Sequence, residues 1–158
     1  MRLLAALIAL ACCVLEGFRR KGALKRRAEF TGEISRMLSG FLIEIRCSGA
    51  TLDELIRRAD GRFAELARGY IAVGEDARGA WELACSQLPK NSGERALLDE
   101  LGRDFGTSDR EGTLRLVELY AERFSELERE AREAYSRKGR AVAQVGALCG
   151  IAAAIMII

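Results

Sequence analysis

Three acidic pairs, Asp53/Glu54, Asp99/Glu100 and Glu126/Glu130, have the type and spacing that could divide into a general acid and a general base. Arginines recur three and four residues from them, which is the pattern of a solvated helix face, and we read them so. Asp104-Phe105-Gly106 spells the magnesium-binding tripeptide of protein kinases. It stands without a glycine-rich loop or a catalytic loop, so Phe105 reads as a core anchor and Gly106 as a helix cap. No Gly-x-x-x-x-Gly-Lys-Ser/Thr run occurs, which removes the P-loop. Histidine is absent, and with it go Ser-His-Asp and Cys-His catalysis, histidine metal sites and histidine pH switches. The cysteines Cys12, Cys13, Cys47, Cys85 and Cys149 form no Cys-x-x-Cys. Three of them lie in apolar runs, and Cys47 and Cys85 are expected to be small buried residues in a reducing compartment. The chain is therefore expected to be no enzyme, with no catalytic residue, no metal site and no cofactor.

Such residues need elements to hold them, and charge along the chain shows how those elements are arranged. The 158 residues suit about one domain, and 49% hydrophobic with 30% charged content excludes a disordered tail. Residues 19–27 hold six basic residues and no acid, whereas residues 28–136 hold 15 basic against 22 acidic residues. Arg137, Lys138 and Arg140 then form a second basic collar. Outside each collar the chain is apolar: residues 3–15 carry no charge, and residues 141–158 carry only Gln144 as a strongly polar residue.

A spanning helix needs ~20 apolar residues, with a lower limit of ~17. Residues 141–158 meet that limit, and residues 1–18 do so with Arg2 and Glu16 near their ends. A cleaved signal or lipoprotein sequence is the alternative for the N-terminus. The collar 19–27 argues against export, because positive charge beside a span is retained in the cytoplasm. The same rule orients both spans, leaving residues 19–140 cytoplasmic. Beside a span, anionic lipid headgroups suit the collar better than nucleic acid does, and aromatic content of only 6% disfavours base stacking. Ala5, Ala9, Cys13 and Gly17 recur every fourth residue, as do Gly146, Gly150 and Ala154. Such small-residue stripes let helices pack closely in lipid, which leaves room for a homo-oligomer.

The middle reads as helices. Phe30, Ile34, Met37, Leu38, Phe41 and Ile45 mark one over about 24–47, continuing out of the first span. Thr51-Leu52-Asp53-Glu54 is a capping box that opens a second, marked by Leu55, Ile56, Ala59, Phe63, Leu66 and Tyr70. A third covers about 76–88 and is stopped by Pro89; Ser92 opens a fourth with Leu97, Leu98, Leu101 and Phe105 inward. Ser108-Asp109-Arg110-Glu111 reads as a second capping box. It starts a long helix through Leu114, Val117, Ala121, Phe124 and Ala131 that no proline interrupts before Ile158. The fold expected is all-α: an antiparallel helical bundle of about five helices, residues 19–140, flanked by transmembrane helices at 1–18 and 141–158.

Two segments and the layout carry a resemblance. Leu101-Gly102-Arg103-Asp104-Phe105-Gly106-Thr107-Ser108-Asp109 resembles the L-G-x-x-L-G-x-S-D segment of the stage III sporulation protein AB family. Leu42-Ile43-Glu44-Ile45, followed by Leu52, is similar to that family's L-x-x-E-I helix end and nearby turn. The likeness covers nearly the whole chain. Thr51 stands where the family usually has proline, Cys47 where it often has tyrosine, and Thr113 where glutamine is common. The resemblance implies a protein of the mother-cell membrane around the engulfed forespore. It further implies a family similar to the inner-membrane platforms of type II secretion and type IV pilus systems. Its implied partners are the other stage III sporulation complex proteins, among them a cytosolic secretion-type ATPase. On this reading Gly106, Ser108, Asp109 and Glu111 are the candidate partner contact, and Gly146, Gly150 and Ala154 the candidate packing face in the membrane. A membrane-anchored helical signalling or sensor module is the alternative.

Overall fold

The stretches with the longest unbroken helical periodicity form the longest helices. A computed structural model describes the backbone of residues 2–157 and the side chains of residues 22–137. Its elements are α1 (Arg2–Ser48), α2 (Leu52–Arg58), α3 (Arg62–Val73), α4 (Ala77–Ser86), α5 (Gly93–Asp104) and α6 (Arg110–Ile157), with no strand among the described residues. Among those residues no helix is long and apolar enough to cross a membrane. The expected spans 1–18 and 141–158, and with them Gly146, Gly150 and Ala154, lie outside the residues whose side chains are described.

Local chemistry sets most boundaries. Thr51 caps α2 as expected: its hydroxyl accepts from the Glu54 amide, and the Glu54 carboxylate accepts from the Thr51 amide at 2.9 Å. Ser92 caps α5 by accepting from the Arg95 amide at 3.2 Å. Asp76 caps α4, accepting from the Gly79 amide at 3.0 Å. The helix expected to run from Leu52 through Tyr70 is in fact two, giving six helices rather than about five. Asp60-Gly61 breaks it, with Ala59 extended and Gly61 at φ +113°, a conformation only glycine adopts freely.

The chain forms two compact units: residues 30–128, and residues 1–29 with 129–158. In the first, Trp81 is the centre of the core. Its indole Nε1 donates to the Leu98 carbonyl at 2.8 Å, so the polar edge is satisfied although the side chain is buried. Phe63 meets the ring edge-on at 4.8 Å between centroids, and Phe41 lies tilted at 6.4 Å. Gly102 backs the same ring so closely that a Cβ there would lie 2.4 Å from Trp81 Cδ1. Around this centre α1 supplies Ile34, Leu38 and Ile45, α5 supplies Leu98 and Leu101, and α6 supplies Val117 and Phe124, all buried. Phe105 is buried as expected. Tyr120, unmarked in the sequence reading, is buried too; burial and the neighbouring Glu100 carboxylate push its hydroxyl up to about 12.

Cys85 is buried as expected, and burial, with Asp99 beside it, raises its thiol far above the usual range. Cys47 is exposed, against expectation. It lies two residues beyond the inward-facing Ile45 in the last turn of α1, which at 100° per residue turns it away from the core.

Candidate functional site

The segment between α5 and α6 is built from one turn and one cap. Phe105 has φ −64° and ψ 126°, Gly106 has φ +76°, and the Thr107 amide donates to the Asp104 carbonyl at 3.3 Å. This is a type II turn, which requires positive φ at its third residue and so favours glycine there. Gly106 therefore ends α5 much as expected. The start of α6 differs. Its cap is Asp109, whose Oδ1 accepts from the Gly112 amide at 2.9 Å, not Ser108. The expected Ser108/Glu111 capping box does not form: Glu111 turns out to Arg115 at 3.2 Å, and Ser108 offers only its carbonyl, to the Thr113 hydroxyl at 3.5 Å. Gly112 explains the choice in part, since a Cβ there would lie 2.6 Å from the Ser108 Cβ and 3.0 Å from Asp109 Oδ1.

Arg110 decides the rest. Its Nε donates to the Ile45 carbonyl at 3.1 Å and its Nη2 to the Arg46 carbonyl, so the first residue of α6 satisfies the last turn of α1. Arg78 does the same for α5, its Nη2 donating to the Phe105 carbonyl at 3.0 Å. Arg68 donates to the Ala59 carbonyl beyond α2, and Arg95 to the Leu88 carbonyl beyond α4. Four helix ends are thus closed by arginines from elsewhere in the chain. None of these contacts has a local sequence signal, because each partner lies seven or more residues away.

Three turns meet at this end of the unit: residues 49–51 between α1 and α2, residues 74–76 between α3 and α4, and residues 105–109. They surround an open recess of about 600 Å³ lined by Ala50, Leu52, Arg78, Phe105, Gly106 and Arg110, among others. Of the sequence candidates, Gly106 lines the recess, while Ser108, Asp109 and Glu111 are exposed beside it. Arg78 and Arg110 are the residues the sequence reading missed. A second recess, of about 400 Å³, lies along α1 and α2. The ion pair Glu44–Arg58 at 2.6 Å sits on its lining, and Glu33, which also lines it, pairs with Arg62 at 3.1 Å. Burial alone would raise the Glu33 carboxyl, but hydrogen bonds from the Arg62 amide and guanidinium, with the charges of Arg62 and Arg36, hold it below its usual value.

The groups at the three-turn surface are carbonyls already paired, capped carboxylates and guanidinium edges. They can exchange hydrogen bonds and ion pairs with a protein surface. No described cysteine is both exposed and beside a base, and among the described residues no three His, Cys, Asp or Glu side chains gather to hold a metal ion. No curated protein and no solved structure matches the chain. The model of one family, stage III sporulation protein AB, matches residues 2–158. With that match over the whole described backbone, the chain belongs to the stage III sporulation protein AB family.

Proposed function

We propose that this protein is a non-catalytic platform of a secretion-like channel complex between mother cell and forespore. It is held by membrane spans at 1–18 and 141–158, with its helical bundle in the cytoplasm. The observation that carries the reading is the convergence of three turns at one end of residues 30–128. A surface of turns braced by Arg78 and Arg110 offers a partner an ordered backbone, with little conformational freedom left to lose on binding. The partner is a secretion-type ATPase of the same assembly, and the platform hydrolyses nothing itself. Family membership supports the sporulation setting.

The test is photocrosslinking from Ser108 and Glu111 in a sporulating host. Capture of the ATPase from these positions, and not from Arg57 on α2, is the expected result. A reporter inserted near Asn91 should be active only in the cytoplasm, and one fused after Ile158 only outside it. The opposite pattern at Asn91 overturns the reading, because a cytosolic ATPase could not then reach the bundle.

A further inference from the structure

We propose that the recess among the three turns takes an acidic segment of a protein partner, its carboxylate against the guanidiniums of Arg78 and Arg110 and a neighbouring apolar side chain against Leu52 and Phe105. The inference rests on the platform reading above and gives its docking surface a chemistry. These residues line the recess, as do Ala50 and Ala77. Ala50 and Phe105 are buried, Leu52 and Ala77 half-buried, and both arginines exposed. The lining therefore joins buried apolar surface to exposed cations. At about 600 Å³ it has room for an apolar side chain beside the charged one.

Charge is unbalanced on this lining. Arg78 and Arg110 are held by neutral acceptors, the carbonyls of Phe105, Ile45 and Arg46, and neither makes an ion pair among the described residues. The carboxylates on the same lining are already engaged: Asp53 pairs with Arg57 at 2.7 Å, and Asp76 Oδ1 accepts from the Gly79 amide at 3.0 Å. Beside the recess, Asp109 is held by the Gly112 amide and Glu111 by Arg115. A guanidinium carries its N–H donors in a rigid fork. Arg110 uses Nε and Nη2 on carbonyls and Arg78 uses Nη2, so each keeps donors for an incoming oxygen. A charge-assisted bond from them to a carboxylate is about twice as strong as a neutral one. Both side chains are already fixed by their carbonyl bonds, so little rotamer freedom is lost when the carboxylate arrives. A small inorganic anion would use the cations and leave the apolar wall in water, whereas an acidic segment with an apolar neighbour covers both.

The experiment measures the affinity of the full chain, solubilised in mild detergent, for the purified secretion-type ATPase of the same host, at low and high salt. Gly106 supplies the decisive pair of variants. It lines the recess at φ +76°, where a Cβ would meet nothing within 4 Å, and Asn and Asp are the side chains that best tolerate that conformation. Gly106→Asn and Gly106→Asp therefore share one backbone cost and differ in charge alone. The expected result is that Gly106→Asp binds the ATPase about tenfold or more weakly than Gly106→Asn, because the new carboxylate competes for the two guanidiniums. Arg78→Gln should weaken binding to a similar extent, with the fluorescence of the single tryptophan, Trp81, reporting that the core is intact. Should that variant unfold, the Gly106 pair decides. Equal binding by the two Gly106 variants overturns the proposal and leaves the platform reading standing, since the ATPase still docks. Displacement of the ATPase by millimolar inorganic phosphate at constant ionic strength would make the recess a phosphate site and also overturns it. An ATPase that does not bind the unaltered chain at all fails the platform reading itself, and the acidic segment with it.

Discussion

Asp109 shows how one residue's role is settled by a neighbour's distant contact. Thr107, Ser108 and Asp109 can all cap a helix, and the sequence favours Ser108 because Glu111 completes a box. Arg110 must reach the carbonyls of Ile45 and Arg46, which places the first turn of α6 one residue later. Asp109→Ala should therefore cost ~1 kcal/mol, as loss of a cap does, and Ser108→Ala less than about 0.5 kcal/mol. Urea midpoints of the two variants measure this directly, and equal losses would return the cap to Ser108. Gly102 is the tighter constraint. A methyl group 2.4 Å from the Trp81 ring cannot be accommodated by a rigid indole that is itself hydrogen-bonded to Leu98. Gly102→Ala should destabilise the bundle by ~1–3 kcal/mol, the range for overpacking, and quench or shift the fluorescence of the single tryptophan. An unchanged midpoint would mean that α5 and the Trp81 ring separate at little cost.

At the scale of elements, the Glu33–Arg62 contact between α1 and α3 carries a pH signature. The folded Glu33 carboxyl titrates below its usual 4.5, so the stability it contributes is fully present above the unfolded value and drains away as pH falls through the folded one. Wild type should lose stability below about pH 4.5, and Glu33→Gln should lose less over the same interval. Parallel pH profiles would show that the Arg62 contacts do not favour the ionised form. Most elements were legible because their information is local. Thr51/Glu54 and Ser92 state their caps within three residues, and the apolar stripes of α1 and α6 persist over many turns. The break at Gly61 is hidden in the periodicity because Ile56, Ala59 and Phe63 keep helical spacing across it, although Asp60-Gly61 is a turn signal. The three-turn surface was half legible. Gly106 has a local reason to be where it is, whereas Arg78 and Arg110 act across 27 and 65 residues and leave no pattern in their own neighbourhood.

The whole molecule divides into two compact units, residues 30–128 and residues 1–29 with 129–158. Residues 28–136 should fold alone as a metal-free helical domain, since the first unit encloses the core around Trp81, and circular dichroism showing sheet or coil would refute this. The platform reading demands more of the helix ends than anchorage. A platform must hold other subunits in the bilayer, where helices gain little from apolar contact and associate through close packing of small residues. In the apolar run of α6, Gly146, Gly150 and Ala154 recur every fourth residue and would supply that face. Replacing Gly146 and Gly150 with leucine preserves hydrophobicity and the length of the run, so insertion should be unaffected. Two leucines would hold any packed neighbour away, while a helix surrounded only by lipid would lose nothing. The double variant should therefore reach the membrane at normal levels yet fail to co-purify with its partners, and a spore-forming host should stall after engulfment. If that host sporulates normally, the C-terminal helix is a tether, and coupling to the rest of the assembly must run through the bundle.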